Sequence, residues 1–171
     1  IAGSVVGTYW FLMMIGRLCG ASIGAKVSSR AMLTVVSTVG IVLVLGAIFC
    51  ADNILVNMPV FKSDISFGFA QVPVNVMLLI LCGLCTSVMW GGIFNLAVEG
   101  LGKYTAAASG LFMVMVCGGG ILPLIQGGVA DFAGFLNSYW VIALGLAYIL
   151  FYAAIGSKNV NTDIPTDDYE A

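Results

Sequence analysis

The sequence predicts an all-α membrane protein, a polytopic bundle of five transmembrane helices. Three observations predict it. Apolar residues make up 61% of the 171 residues and charged residues 8%, with a mean hydropathy of +1.10; soluble domains carry roughly 45–50% and about 25%. Stretches 5–25, 31–51, 72–98, 106–130 and 138–156 are nearly free of charge, and about 20 residues cross a hydrocarbon core of roughly 30 Å. Their apolar runs lack the period-two alternation of a barrel strand, and unpaired backbone groups are costly in lipid, so the spans are helices.

The chain starts at Ile1, without an initiator Met and already inside an apolar run. A piece lacking N-terminal sequence is therefore expected, with residues 1–156 as the bundle and 157–171 as an acidic tail too poor in apolar residues to fold alone. Lys26, Arg30, Lys103 and Lys158 fall on one side of the five spans and Lys62 on the other. The excess of Lys and Arg marks the cytoplasmic side, which sends the first, third and fifth spans inward and leaves the C-terminus in the cytoplasm. A net charge of -2 with only six cations excludes a nucleic-acid partner, since that binding rests on phosphate neutralisation by Lys and Arg.

In the first span, Arg17 stands nine residues before Lys26, roughly 14 Å up a helix. A cation there costs about 2.5–3.5 kcal/mol on insertion scales. Its guanidinium either snorkels to the interface or faces the bundle interior, and the interior is the expectation. Gly16, Gly20 and Gly24 form a small-residue ridge that lets another helix approach closely. The link 52–71 carries Pro59, Phe61, Phe67 and Phe69, too apolar for a free linker; it is expected to lie against the outer membrane interface, with a lid over a pore as the alternative. Pro73 suits the opening of the third span, where its missing N–H is no loss.

The third span holds Cys82-Gly-Leu-Cys85 and ends in Trp90-Gly91-Gly92-Ile93-Phe94-Asn95, followed by Glu99. The C-x-x-C pair sits in mid-span, where thiols pack as small hydrophobes; a membrane thiol redox centre stays as the alternative. Gly91 and Gly92 weaken the helix by roughly 1 kcal/mol each and are expected to bend it. Trp90 and Phe94, one turn apart, form an aromatic wall of the kind on which sugars stack, and Asn95 offers the donor and acceptor that a sugar hydroxyl needs. The competing reading is core packing and an interhelical hydrogen bond.

In the fourth span, Gly118-Gly119-Gly120, Pro123 and Gln126 interrupt the apolar run. Gly119 and Pro123 predict a bend with the Gln126 amide beside it, as in the broken helices that line transporter cavities. Gly7 to Gly16 and Gly110 to Gly119 echo one another in helices of opposite direction, the pattern of an inverted repeat. The chain has no His, which removes the usual zinc and haem ligand sets, and no metal or cofactor is expected.

Tyr9-Trp10 with Met14-Ile15-Gly16-Arg17, the segment from Met89 to Gly102, and the block from Ser109-Gly110 through Gly118-Gly119-Gly120-Ile121-Leu122-Pro123-Leu124-Ile125-Gln126-Gly127 to Ala130-Asp131 together resemble the sugar permeases of the major facilitator superfamily. The likeness is to fucose permeases and glucose/galactose transporters, above all those of Bacteroides type. On it the five spans resemble helices eight to twelve of a twelve-helix transporter. Where fucose permeases resemble Met-Phe-Pro-Thr-Ile-Tyr, this chain reads Met89-Trp90-Gly91-Gly92-Ile93-Phe94, which puts the substrate's identity in question.

The resemblance implies a secondary transporter of the inner membrane, not an enzyme, that imports a monosaccharide by alternating access. Proton symport follows from resemblance alone, with the coupling carboxylates in an absent N-terminal half. Arg17, Trp90, Phe94, Asn95 and Gln126 are the candidates for sugar contact. Glu99 is the candidate inner latch, with Lys26, Arg30 or Lys103 as partner and an ordinary surface ion pair as the plain alternative. A non-transporting structural or receptor subunit completes the alternatives.

Overall fold

A computed structural model describes residues 2–24, 26–50, 53–61 and 66–158. The expected tail beyond Lys158, Lys62 among the charge markers and Ala25 lie outside the described residues. Helix α1 is Ala2–Gly24, α2 Ser29–Phe49 and α3 Val74–Val98. The fourth span is split into α4, Thr105–Met115, and α5, Gly118–Ala133; α6 is Tyr139–Phe151, continued by one wide turn, Tyr152–Gly156. Among the described residues five helical segments are long and apolar enough to cross a membrane, and the chain is a multi-pass membrane protein.

Local chemistry sets the boundaries. Ser28 caps α2, its hydroxyl oxygen accepting from the Ala31 N–H at 3.3 Å. Pro73 stands just before α3, and the first helical N–H, of Val74, is taken by the Ile54 carbonyl at 2.9 Å. Gly100, Gly102 and Gly134 have φ of 75°, 46° and 93°, left-handed corners that suit glycine. They flank the fourth span on both sides.

The main core lies where α2, α3 and α6 meet: Leu33 and Val44 from α2, Cys82, Cys85, Met89 and Leu96 from α3, Ala143 and Leu146 from α6. Both cysteines of the C-x-x-C pair are buried there. Gly40 brings α2 close to its neighbours, since a carbon added there would lie 3.4 Å from Leu146 and 3.6 Å from Met89. Between α1 and α3 the approach is closer still. A carbon on Gly16 would overlap the Ser87 hydroxyl and one on Gly20 the Val88 side chain, so two of the three ridge glycines carry this contact. Gly24 meets only the end of Met32, at 3.9 Å.

The structure bears on three expectations. The boundary between the link 52–71 and the third span moves: Leu55–Phe61 (β1) and Phe67–Pro73 (β2) form an antiparallel hairpin with Asn57 opposite Gln71 and Pro59 opposite Phe69. Consequently the third helix begins at Val74, not at residue 72. The hairpin exists because alternate residues Met58, Val60 and Val72 bury one face against Val5, Tyr9 and Leu12 of α1 and Val76, Met77 and Ile80 of α3. The Thr8 hydroxyl accepts the Phe61 N–H at 2.9 Å and donates to the Ser4 carbonyl at 2.7 Å, and Phe11 stacks on Phe61 at 5.3 Å.

Second, α3 runs unbroken through Gly91 and Gly92, because the helix-weakening of two glycines is small beside the loss of backbone bonds in lipid. Gly92 instead packs on Leu33, and Gly91 faces open space. Third, the interruption of the fourth span lies at Val116 and Cys117, between α4 and α5, six to seven residues ahead of Pro123. Proline removes one bond and crowds the carbonyl four residues earlier, here that of Gly119, yet α5 continues through Pro123. The turn there is tight, with Gly119 N to Val116 O at 2.8 Å and Gly120 N to Cys117 O at 2.9 Å.

Candidate functional site

Helices α1, α2, α3, α5 and α6 surround a cavity of about 490 Å³ whose polar groups come from Tyr9, Thr86, Gln126 and Tyr139, set among apolar residues such as Val44 and Ile80. The ring of Tyr9 reaches this position because Gly83 leaves room for it: a carbon on Gly83 would stand 2.9 Å from the ring. The Tyr9 and Thr86 hydroxyls are 3.2 Å apart, and Thr86 also lies 3.2 Å from the Gly83 carbonyl. Helices α1 and α3 thus present paired hydroxyls in the cavity that Gln126 also lines. That combination can both donate to and accept from a polyhydroxylated ligand.

A second hollow, of about 340 Å³, lies between α1, α2 and α3 and is lined by Arg17, Gly20, Ser29, Ser87 and Asn95 among others. A third, of about 610 Å³, holds Arg30, Asn95 and Glu99 with Ser28 and Ser29. Ser29 and Asn95 line both, so the two hollows adjoin at these residues. The Arg17 guanidinium is exposed, with the Met13 sulfur at 3.8 Å.

The structure therefore brings Arg17 and Asn95 together and places Gln126 in a different cavity. Trp90 and Phe94 do share a wall, but its third member is Phe112 of α4: the rings meet edge-on at 5.3 Å and 5.4 Å. Phe112 was not singled out from the sequence, nor were Tyr9, Thr86 and Tyr139 as a cavity lining. Tyr9 is seven residues before Gly16 and so shares the face of the glycine ridge, the one signal that could have drawn it in.

Glu99 and Arg30 face the same hollow, while Arg30 directs its hydrogen bonds to the end of the last span: Nε to the Ser157 hydroxyl at 3.2 Å and a terminal nitrogen to the Ser157 carbonyl at 2.9 Å. Lys103 holds its ammonium 5.4 Å from the Tyr104 ring centre, and Lys26 is exposed in the turn after α1. Gly119 and Pro123 lie on the exposed surface of α5. No group of His, Cys, Asp or Glu able to hold a metal occurs among the described residues.

Comparison with known proteins gives sequence relatives. No protein-family model and no solved structure match the chain. A glucose/galactose transporter of Brucella abortus biovar 1 (strain 9-941) is 44% identical over 77 residues, 45% of this chain and 19% of that protein. A putative glucose/galactose transporter of Helicobacter pylori (strain ATCC 700392 / 26695) is 32% identical over 155 residues, 88% of this chain and 33% of that protein. The L-fucose-proton symporter of Escherichia coli (strain K12) is 33% identical over 92 residues, 53% of this chain and 21% of that protein. The matched stretches span a fifth to a third of the length of these relatives.

Proposed function

We propose, because this chain is a homologue of the sugar permeases represented by these glucose/galactose and fucose transporters, that the intact protein imports a monosaccharide across the inner membrane. The likeness to a putative glucose/galactose transporter over 88% of the chain carries the reading. Transport is by alternating access, with the C-terminus in the cytoplasm as the distribution of Lys and Arg requires. Proton symport is supported by the name of the Escherichia coli relative. Charge falls at the span ends rather than in mid-span save for Arg17, so the coupling carboxylates belong to further sequence of the intact protein, as does the other half of the bundle.

Gln126, with the Tyr9 and Thr86 hydroxyls, contacts the sugar in the five-helix cavity. Arg17 and Asn95 serve the route toward the cytoplasm, and Trp90 and Phe94, backed by Phe112, form an apolar wall beside it. Glu99 closes the inner mouth by pairing with Arg30, Lys26 or Lys103 in the state that shuts it. The kink between α4 and α5, near Gly119 and Pro123, supports a fourth span that changes shape during the cycle.

Uptake of labelled fucose, glucose and galactose by the intact protein in proteoliposomes, with and without a proton gradient, is the test. Accumulation of one sugar that collapses with the gradient is the expected result. Failure of all three under both conditions would sink the carrier reading and favour a receptor or structural subunit. A thiol redox role has less support, since Cys82 and Cys85 pack in the core; it predicts that Cys82→Ser abolishes activity, whereas a carrier keeps it.

A further inference from the structure

The hairpin does not stand above the bundle. Its buried face touches α1 at Val5, Tyr9 and Leu12 and α3 at Val76, Met77 and Ile80; these positions reach about 15 Å down α1 from Ala2 and about 9 Å down α3 from Val74 at 1.5 Å per residue. The two strands are thus folded back along the flank of the spans. At 25 residues, α3 is about 38 Å long against a hydrocarbon core of roughly 30 Å, so part of it extends past the core at its ends.

The opposite face of the hairpin carries Leu55, Asn57, Pro59, Phe67, Phe69 and Gln71, all exposed, with Phe69 at 78% and Phe67 at 66%. Among the described residues no charge interrupts this face. Ile54, just before the hairpin, and Phe49, the last residue of α2, are exposed apolar residues as well, Phe49 at 74%.

We infer that the outward face of the hairpin is a membrane-interface anchor, seated in the lipid headgroup layer on the side where α2 ends and α3 begins. Phe67, Phe69 and Leu55 reach toward the acyl boundary, as aromatic residues do at membrane interfaces. The cross-strand pair Asn57 and Gln71 meets ester and phosphate oxygens. Backbone chemistry fixes the depth. A two-stranded sheet has open edges, which hydrocarbon does not tolerate; the edge at Phe61 is tied to Thr8, and the remaining N–H groups find acceptors among headgroups and water. The inference rests on the membrane spans and not on the sugar-carrier reading.

The test uses the full-length protein in phosphatidylcholine/phosphatidylglycerol vesicles, with native cysteines replaced and a nitroxide label at Phe69→Cys or, separately, Leu55→Cys. Collision with oxygen, relative to a water-soluble nickel chelate, should exceed that of a free label in buffer several-fold, with a mobile spectrum. A ratio equal to that in buffer would mean a water-facing lid and overturn the inference. An immobile label shielded from both reagents would mean cover by protein, from a second copy or from further sequence, and would overturn it equally. A photoreactive phenylalanine analogue at position 69, with all cysteines kept, gives a second readout: adducts of phospholipid mass are expected, and adducts to protein alone count against it.

Discussion

The hydroxyls of Tyr9 and Thr86 stand 3.2 Å apart and join α1 to α3 at the wall of the five-helix cavity. Interhelical hydrogen bonds in membranes average about 0.6 kcal/mol with a maximum near 1.7. Tyr9→Phe should therefore cost about 0.5–1.5 kcal/mol, read as a fall of a few degrees in thermal unfolding of the detergent-solubilised protein. Gly83→Ala should cost more, about 1–3 kcal/mol, because the new carbon lies 3.1 Å from the Tyr9 carbonyl oxygen as well as against its ring. A Gly83→Ala protein as stable as the parent would refute the notch.

The glycines of the spans are not equivalent. Gly16→Ala and Gly20→Ala collide with Ser87 and Val88 and should each destabilise by about 1–3 kcal/mol. Gly91→Ala meets nothing within 4 Å and should stabilise by up to about 1 kcal/mol through helix propensity. Melting temperatures of the three variants, compared side by side, check the order.

Thr8 is the fastening point of the hairpin. Thr8→Val keeps the shape of the side chain but removes the acceptor for the Phe61 N–H, a bond worth about 0.5–1.5 kcal/mol. Hydrogen exchange across 55–73 should then accelerate several-fold while that of α2 stays put. Equal exchange in both proteins would show that the apolar face alone holds the strands.

The route past Glu99 can be probed by chemistry. Asn95→Cys, in a background free of other thiols, should react with a charged, membrane-impermeant thiol reagent applied from the cytoplasmic side, whereas Leu96→Cys, buried in the core, should not. Adding Glu99→Gln should speed the reaction at position 95 by loosening the closed inner mouth. An unchanged rate would argue against the latch.

Gln126→Ala should lower uptake with little change in melting temperature, since the side chain borders the cavity rather than the core. A loss of one charge-neutral hydrogen bond of about 1–1.5 kcal/mol corresponds to roughly five- to tenfold weaker sugar binding. Wild-type uptake in that variant would remove Gln126 from the site.

Composition made the helical class legible, because a chain this apolar has few ways to satisfy its backbone in lipid. The hairpin was hidden for a related reason: Phe, Val and Pro in a link read equally as interface or strand, and only the alternate burial of Met58, Val60 and Val72 decides. Gly91-Gly92 and Gly119 carry the same local signal, yet α3 stays whole and the fourth span breaks. The fourth span differs in carrying three consecutive glycines, Gly118 to Gly120, directly after its break at Val116 and Cys117, with Pro123 beyond them inside α5. Site residues were less legible. Arg17 and Asn95 line one hollow between α1, α2 and α3 where Gly20 lets α1 and α3 come close, an arrangement no single-helix periodicity contains. Phe112 joins Trp90 and Phe94 from another span, and nothing in its own neighbourhood points to them.

The fourth span, from Gly102 to Ala133, is 32 residues long, and none of its most apolar window is buried. Straight, it would measure about 48 Å, well beyond a hydrocarbon core of roughly 30 Å, so its excess length is absorbed by the kink at Val116 and Cys117 and by lean. Glycine corners at both ends leave that lean adjustable. A span of this length meets a thin bilayer with more lean than a thick one.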